Sequence, residues 1–147
     1  MEPLKCSRFV RAPRDKVFAV ASDLRAAPGR IPAIVALEVL TEGPVRQGTR
    51  FKETRRMFGR EATEQMEIVE FDAPRSYTVG AESCGARYRS KLSFEPKDGG
   101  TEIVMEFRVE PMTLFAKIMG TLMRPMMKKM FKLCAQDLDG LAAACER

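Results

Sequence analysis

The chain has 147 residues, with 25 Lys and Arg against 20 Asp and Glu for a net charge of +5, and it contains neither histidine nor tryptophan. That length suits one domain spanning residues 1–147 with a sizeable core, and so mixed a charge balance gives only weak support for an anionic partner. The missing histidine excludes Ser-His-Asp and Cys-His nucleophiles, His-ligated zinc and the commonest general base.

No stretch approaches the roughly 18 uninterrupted apolar residues of a membrane span. The opening residues lack the long apolar run of a secretory signal, so the expected compartment is the cytoplasm. There Cys6, Cys84, Cys134 and Cys145, which show neither CxxC pairing nor metal-ligand spacing, read most simply as free thiols. No metal or cofactor is expected.

Residues 4–11 predict a strand, ended by Ala12-Pro13. Pro13 then opens a short helix, where its missing N–H costs nothing, and Val17, Phe18, Val20 and Ala21 supply the apolar side. Pro28, Gly29 and Pro32 allow only a second short, broken helix or an ordered loop over 24–34. A β-branched and aliphatic run over 33–40 reads as the next strand, closed by Glu42-Gly43-Pro44. Strands follow over 49–57 and 60–71, separated by Phe58-Gly59, and over 76–82 after the turn Asp72-Ala73-Pro74. Residues 87–95 alternate, with Tyr88, Leu92 and Phe94 on one face. Residues 101–109 alternate likewise, with Ile103, Met105, Phe107 and Val109 opposite Glu102, Glu106 and Arg108.

Residues 112–145 predict one long amphipathic helix, kinked at Pro125 because proline removes a backbone bond and clashes with the preceding turn. Met112, Phe115, Met119, Met123, Met126 and Met130 share a stripe, with Lys117, Thr121, Arg124, Lys128 and Lys132 opposite. Such a stripe fits an ordinary core-facing helix. Its concentration of flexible, polarizable methionine also suits the wall of a cavity that repacks around an apolar ligand. The order of elements predicts an α+β fold: a curved antiparallel sheet of about seven strands gripping the C-terminal helix, with two short helices after the first strand.

Local motifs carry a resemblance. Val10-Arg11-Ala12-Pro13 with Val17-Phe18 and Ser22-Asp23-Leu24, Gly48-Thr49-Arg50-Phe51, the turn from Val69 through Asp72-Ala73-Pro74 to Arg75, Gly100-Thr101-Glu102-Ile103-Val104, and the ending Leu138, Leu141, Glu146 are spread over nearly the whole chain. Together they resemble the helix-grip superfamily (SRPBCC) of START lipid-transfer domains, birch-pollen-allergen-like proteins and polyketide cyclases. The resemblance implies the fold and a ligand cavity between sheet and helix, and it carries no active site. The chain departs from the family pattern at Ile31-Pro32, where the family places a tryptophan.

The sheet side of that cavity is expected to be lined by Phe51, Met66, Tyr88, Met105 and Phe107. Glu53 and Arg55 share strand parity with Phe51, so they either orient a ligand's polar end or face solvent as a simple pair. Asp137, at the edge of the helical stripe, either caps the cavity or pairs with an arginine. Tyr77 reads as cross-strand packing, and Cys84, beside Gly85, as an unreactive thiol at a break between strands.

The leading expectation is non-catalytic binding, transport or sensing of a lipid-, sterol- or polyketide-like molecule. An enzymatic alternative is a cyclase or dehydratase drawing acid, base and oxyanion support from Glu53, Glu64, Arg55 and Tyr88. A small module that modulates a partner protein is a third reading. The basic outer face of the long helix reads first as solvated, with transient contact to an anionic membrane surface as its functional alternative. Nucleic acid is not an expected partner, because no basic patch interleaved with exposed aromatics appears, and the oligomeric state is left open.

Overall fold

The computed structural model describes residues 3–57, 59–83, 85–122, 125 and 127–146. Strand β1 (Leu4–Val10) is followed by helix α1 (Arg14–Ser22) and a 3-10 helix (Leu24–Gly29). Next come β2 (Ile34–Val39), β3 (Arg50–Met57), β4 (Arg60–Asp72), β5 (Ser76–Ser83), β6 (Ala86–Lys97) and β7 (Gly100–Pro111). Helices α2 (Leu114–Leu122) and α3 (Met127–Cys145) close the chain. The strands form one antiparallel sheet in the order β1-β7-β6-β5-β4-β3-β2, so β2 to β7 are a simple meander and β1 returns to the far edge.

Register decides which side chains meet. The pairs Phe51↔Met66, Ile68↔Val79, Tyr77↔Leu92, Phe94↔Ile103 and Met105↔Cys6 put one set of alternating residues on a common inner face. That face is covered by α1 and α3. From α1 come Val17, Phe18 and Ala21, and from α3 come Leu138, Leu141 and Ala142, all buried. Phe18 is the hub, with its ring edge-on to Phe94 at 5.3 Å, Phe71 at 5.4 Å and Tyr77 at 5.9 Å.

Two close approaches position the helices. Gly140 of α3 lies against the loop after the 3-10 helix: a Cβ there would stand 2.5 Å from the Arg30 carbonyl oxygen and 3.4 Å from Pro32. The segment containing Ile31-Pro32 therefore serves as a backbone clamp on α3. Gly85 adopts a φ of +75°, and a Cβ on it would stand 2.8 Å from Thr113 Oγ1. Its carbonyl accepts the Met112 N–H at 2.8 Å, which fixes the start of α2 beside the β5–β6 turn.

The structure corrects two expectations here. Cys6 and Cys134, read as free thiols, are joined as a disulfide between β1 and α3, their Cα atoms 6.9 Å apart. The sequence spacing of 128 residues hides this pairing, because it depends on β1 and α3 packing side by side. Cys145 is free and buried, and Cys84 lies outside the described residues.

The second correction concerns the methionine stripe. Two helices replace the single one, with Pro125 between them. Carrying one helical wheel across a proline gives the wrong phase, because the backbone ladder is interrupted there. Met112, Phe115 and Met119 do not line an interior: they are 45%, 69% and 39% exposed. Met130 is half-buried, and Met123 and Met126 lie outside the described residues. Within α3 alone the inner stripe is Met130, Cys134, Asp137, Leu138, Leu141 and Cys145.

Candidate functional site: a buried carboxylate–guanidinium triad

Strand β3 alternates, so Glu53 and Arg55 follow Phe51 onto the inner face. Here they meet α3. Arg55 Nε donates to Glu53 Oε1 at 3.0 Å, and Arg55 Nη1 donates to Asp137 Oδ2 at 2.7 Å. The side chains of Glu53, Arg55 and Asp137 are only 11%, 20% and 12% exposed. Of the two alternatives for Asp137, pairing with an arginine is the one observed.

Two carboxylates share one guanidinium. Burial pushes the Asp137 carboxyl above the usual carboxylate range; Arg55 pulls it down, and the charge of Glu53 adds to the rise. For Arg55, burial opposes the charge, but Asp137 and Glu53 together hold its pKa above the ordinary value. Tyr77 stands close by, fully buried, its hydroxyl donating to the Ala21 carbonyl at 3.1 Å. Burial, with the charge of Glu53, pushes that phenol upward, so it stays a neutral donor. Tyr77 is thus the packing residue expected of it.

A guanidinium has five N–H donors, and the two carboxylates engage Nε and Nη1, so further donors remain on the same fork. The carboxylates keep lone pairs for hydroxyl groups. The triad can therefore hold a carbonyl, carboxylate or hydroxyl of a bound molecule without any metal. Among the described residues no group of three His, Cys, Asp or Glu side chains could hold a metal ion.

Beyond the triad the inner face is apolar and only half-covered. Met66, Val79, Ala81, Tyr88, Ser90, Met105, Phe107 and Val109 are all half-buried, with the rings of Tyr88 and Phe107 stacked at 6.1 Å. Phe51, at 1% exposure, belongs to the packed core and not to this open part. Val79, Ala81, Ser90 and Val109 were not among the expected lining, although the alternation that marks Tyr88 and Phe107 also marks them. Glu64 lies opposite Glu53 in register and is half-buried. Cys145 is buried, and that burial pushes its thiol up. A separate recess of about 450 Å³ opens on the other face of the sheet, where Arg50 and Arg87, two of its three arginines, are paired with Glu67 and Glu82.

A family model described as polyketide cyclase/dehydrase and lipid transport matches residues 4–146. The chain belongs to this family. Its fold is the helix grip, which it shares with similar structures. TTHA0849 from Thermus thermophilus is 23% identical, with a TM-score of 0.80 over 97% of this chain and 96% of that one. Major latex-like protein 151 from Panax ginseng is 13% identical, with a TM-score of 0.78 over 97% and 95%. The di-domain aromatase/cyclase StfQ of the steffimycin biosynthetic pathway is 15% identical, with a TM-score of 0.75 over 99% of this chain and 51% of its own length. No curated protein matches the chain. No described helix is long and apolar enough to cross a membrane.

Proposed function

We propose that the chain, residues 1–147, works as one ligand-binding domain. It holds a lipid-, sterol- or polyketide-like molecule between the inner face of the sheet and the C-terminal helices, and performs no chemistry on it. The observation that carries this reading is the triad's position. Three charged side chains are buried where the sheet changes from packed core to half-covered apolar surface. Desolvating charge costs several kcal/mol per ion, and core packing alone does not require it. Arg55 would meet the polar end of the ligand, and Met66, Tyr88, Met105, Phe107 and Met130 its apolar body.

The test is binding of an environment-sensitive apolar dye to the purified protein, with displacement by fatty acids, sterols and aromatic polyketides, alongside mass spectrometry of whatever co-purifies. Saturable one-site binding, weakened in Arg55→Lys because the planar fork is lost, is expected. Absence of any saturable binding and of any co-purifying apolar molecule overturns the reading.

The raised Asp137 carboxyl favours a second reading, a cyclase or dehydratase with Asp137 as proton donor. Turnover of a polyketide-like substrate that is lost in Asp137→Asn while affinity is kept would establish it.

A further inference from the structure

We propose that α2 docks on the surface of an anionic lipid bilayer, its apolar side in the headgroup region and the neighbouring lysines on the lipid phosphates. The helix is turned the wrong way for a protein surface in water. Leu114, Phe115, Ile118 and Leu122 are 74%, 69%, 52% and 67% exposed, and no residue of α2 is buried. The half-covered positions are Ala116 and Gly120, its smallest side chains. Large apolar groups point outward from one continuous side of the helix, which is the kind of patch that marks a contact surface.

Charge selects the partner. Residues 111–136 contain Lys117, Arg124, Lys128, Lys129 and Lys132 and not one Asp or Glu. Lys117 follows Leu114 by three residues on α2, and Lys128 and Lys132 are exposed in the first turns of α3. Apolar bulk flanked by lysine is the composition of a helix that lies in a membrane interface, where burial and attraction to anionic headgroups add. A second copy of the chain is a poorer occupant, because a two-fold contact brings the same cations face to face. The apolar length rules out spanning for every described helix, so α2 lies on the bilayer.

The position of the helix fits this role. It starts at the β5–β6 turn, the end of the sheet that carries Tyr88, Phe107, Val109 and Arg55. Docking would bring the open part of the inner face against the lipid. The proposal goes beyond ligand binding and does not depend on it, since vesicle binding and dye binding are measured separately.

The full chain should co-sediment with phosphatidylcholine vesicles that contain phosphatidylserine, less so as salt is raised, and poorly with phosphatidylcholine alone. Phe115→Glu and Leu122→Glu, at exposed positions that leave folding intact, should each weaken vesicle binding by about tenfold or more. Lys117→Ala and Lys128→Ala should each weaken it about fivefold. The chain has no tryptophan, so Leu122→Trp gives a unique reporter whose emission should shift blue on anionic vesicles. Gln47→Trp, at the opposite end of the sheet, should show no shift. No binding to the anionic vesicles, binding that ignores all four substitutions, or a solution dimer that Phe115→Glu dissociates would each overturn the proposal.

Discussion

Arg55 is the residue on which the buried charge balance rests. Replacing it with methionine keeps much of the bulk but leaves Glu53 and Asp137 buried without a cation. The expected cost at neutral pH is about 3–5 kcal/mol, read from the urea midpoint. It should shrink in acid as one carboxylate takes up a proton. The wild type has its own pH signature. The folded-state pKa of Asp137 lies above the unfolded value of 3.8, so the folded protein holds a proton that the unfolded chain has lost. The stability from this group is full below pH 3.8 and declines as pH rises through the folded value. Wild type should therefore lose stability relative to Asp137→Asn as pH rises from about 4, and a relative gain over that range refutes the assignment. Strand parity with Phe51 makes the inward facing of Glu53 and Arg55 legible in sequence as one of two alternatives. The role of Asp137 is less so, because it depends on a helical phase that Pro125 resets. Read from Cys134, Leu138 and Leu141 alone, the phase of α3 points Asp137 inward correctly.

Among the elements, the strands are the most legible. Apolar and charged residues alternate over most of β6 and β7, with breaks at Ser90, Ser93 and Val104, and turns at Gly43-Pro44, Gly59 and Gly99-Gly100 separate the segments, so the meander follows from local pattern. The C-terminal helices are less legible, because an apolar stripe does not say whether it meets protein, ligand or lipid. In α3 the stripe meets the sheet, whereas in α2 it meets none. The clamp on α3 was equally hidden, since it uses backbone against a glycine and no side-chain pattern. Its energetic weight is testable. Gly140→Ala improves intrinsic helix propensity by about 1 kcal/mol, yet its methyl group would collide with the Arg30 carbonyl, only 2.5 Å from the Cβ position. A net loss of about 1–3 kcal/mol is expected, measured by urea unfolding. A net gain would show that the loop at residues 30–32 yields freely.

Over the whole molecule, the Cys6–Cys134 bond joins the first strand to the last helix and closes nearly the entire chain into a loop. Loops of this length restrict the unfolded ensemble most, so the double substitution Cys6→Ala with Cys134→Ala should cost about 2–4 kcal/mol. Reductant should lower the thermal midpoint of the wild type and leave the double variant unmoved. An unchanged midpoint on reduction would mean that β1 and α3 hold each other by packing alone. The same pairing also bears on how the protein is made. β1 leaves the ribosome before its register partner β7 and its helical cover α3. Until β7 is made, β1 must wait with its hydrogen-bonding edge unpaired, while the meander from β2 onward can assemble behind it. Completion of the fold is thus a late, long-range event, and a nascent chain stalled before α3 would display both an unpaired strand and an uncovered apolar sheet to the chaperones of the cell.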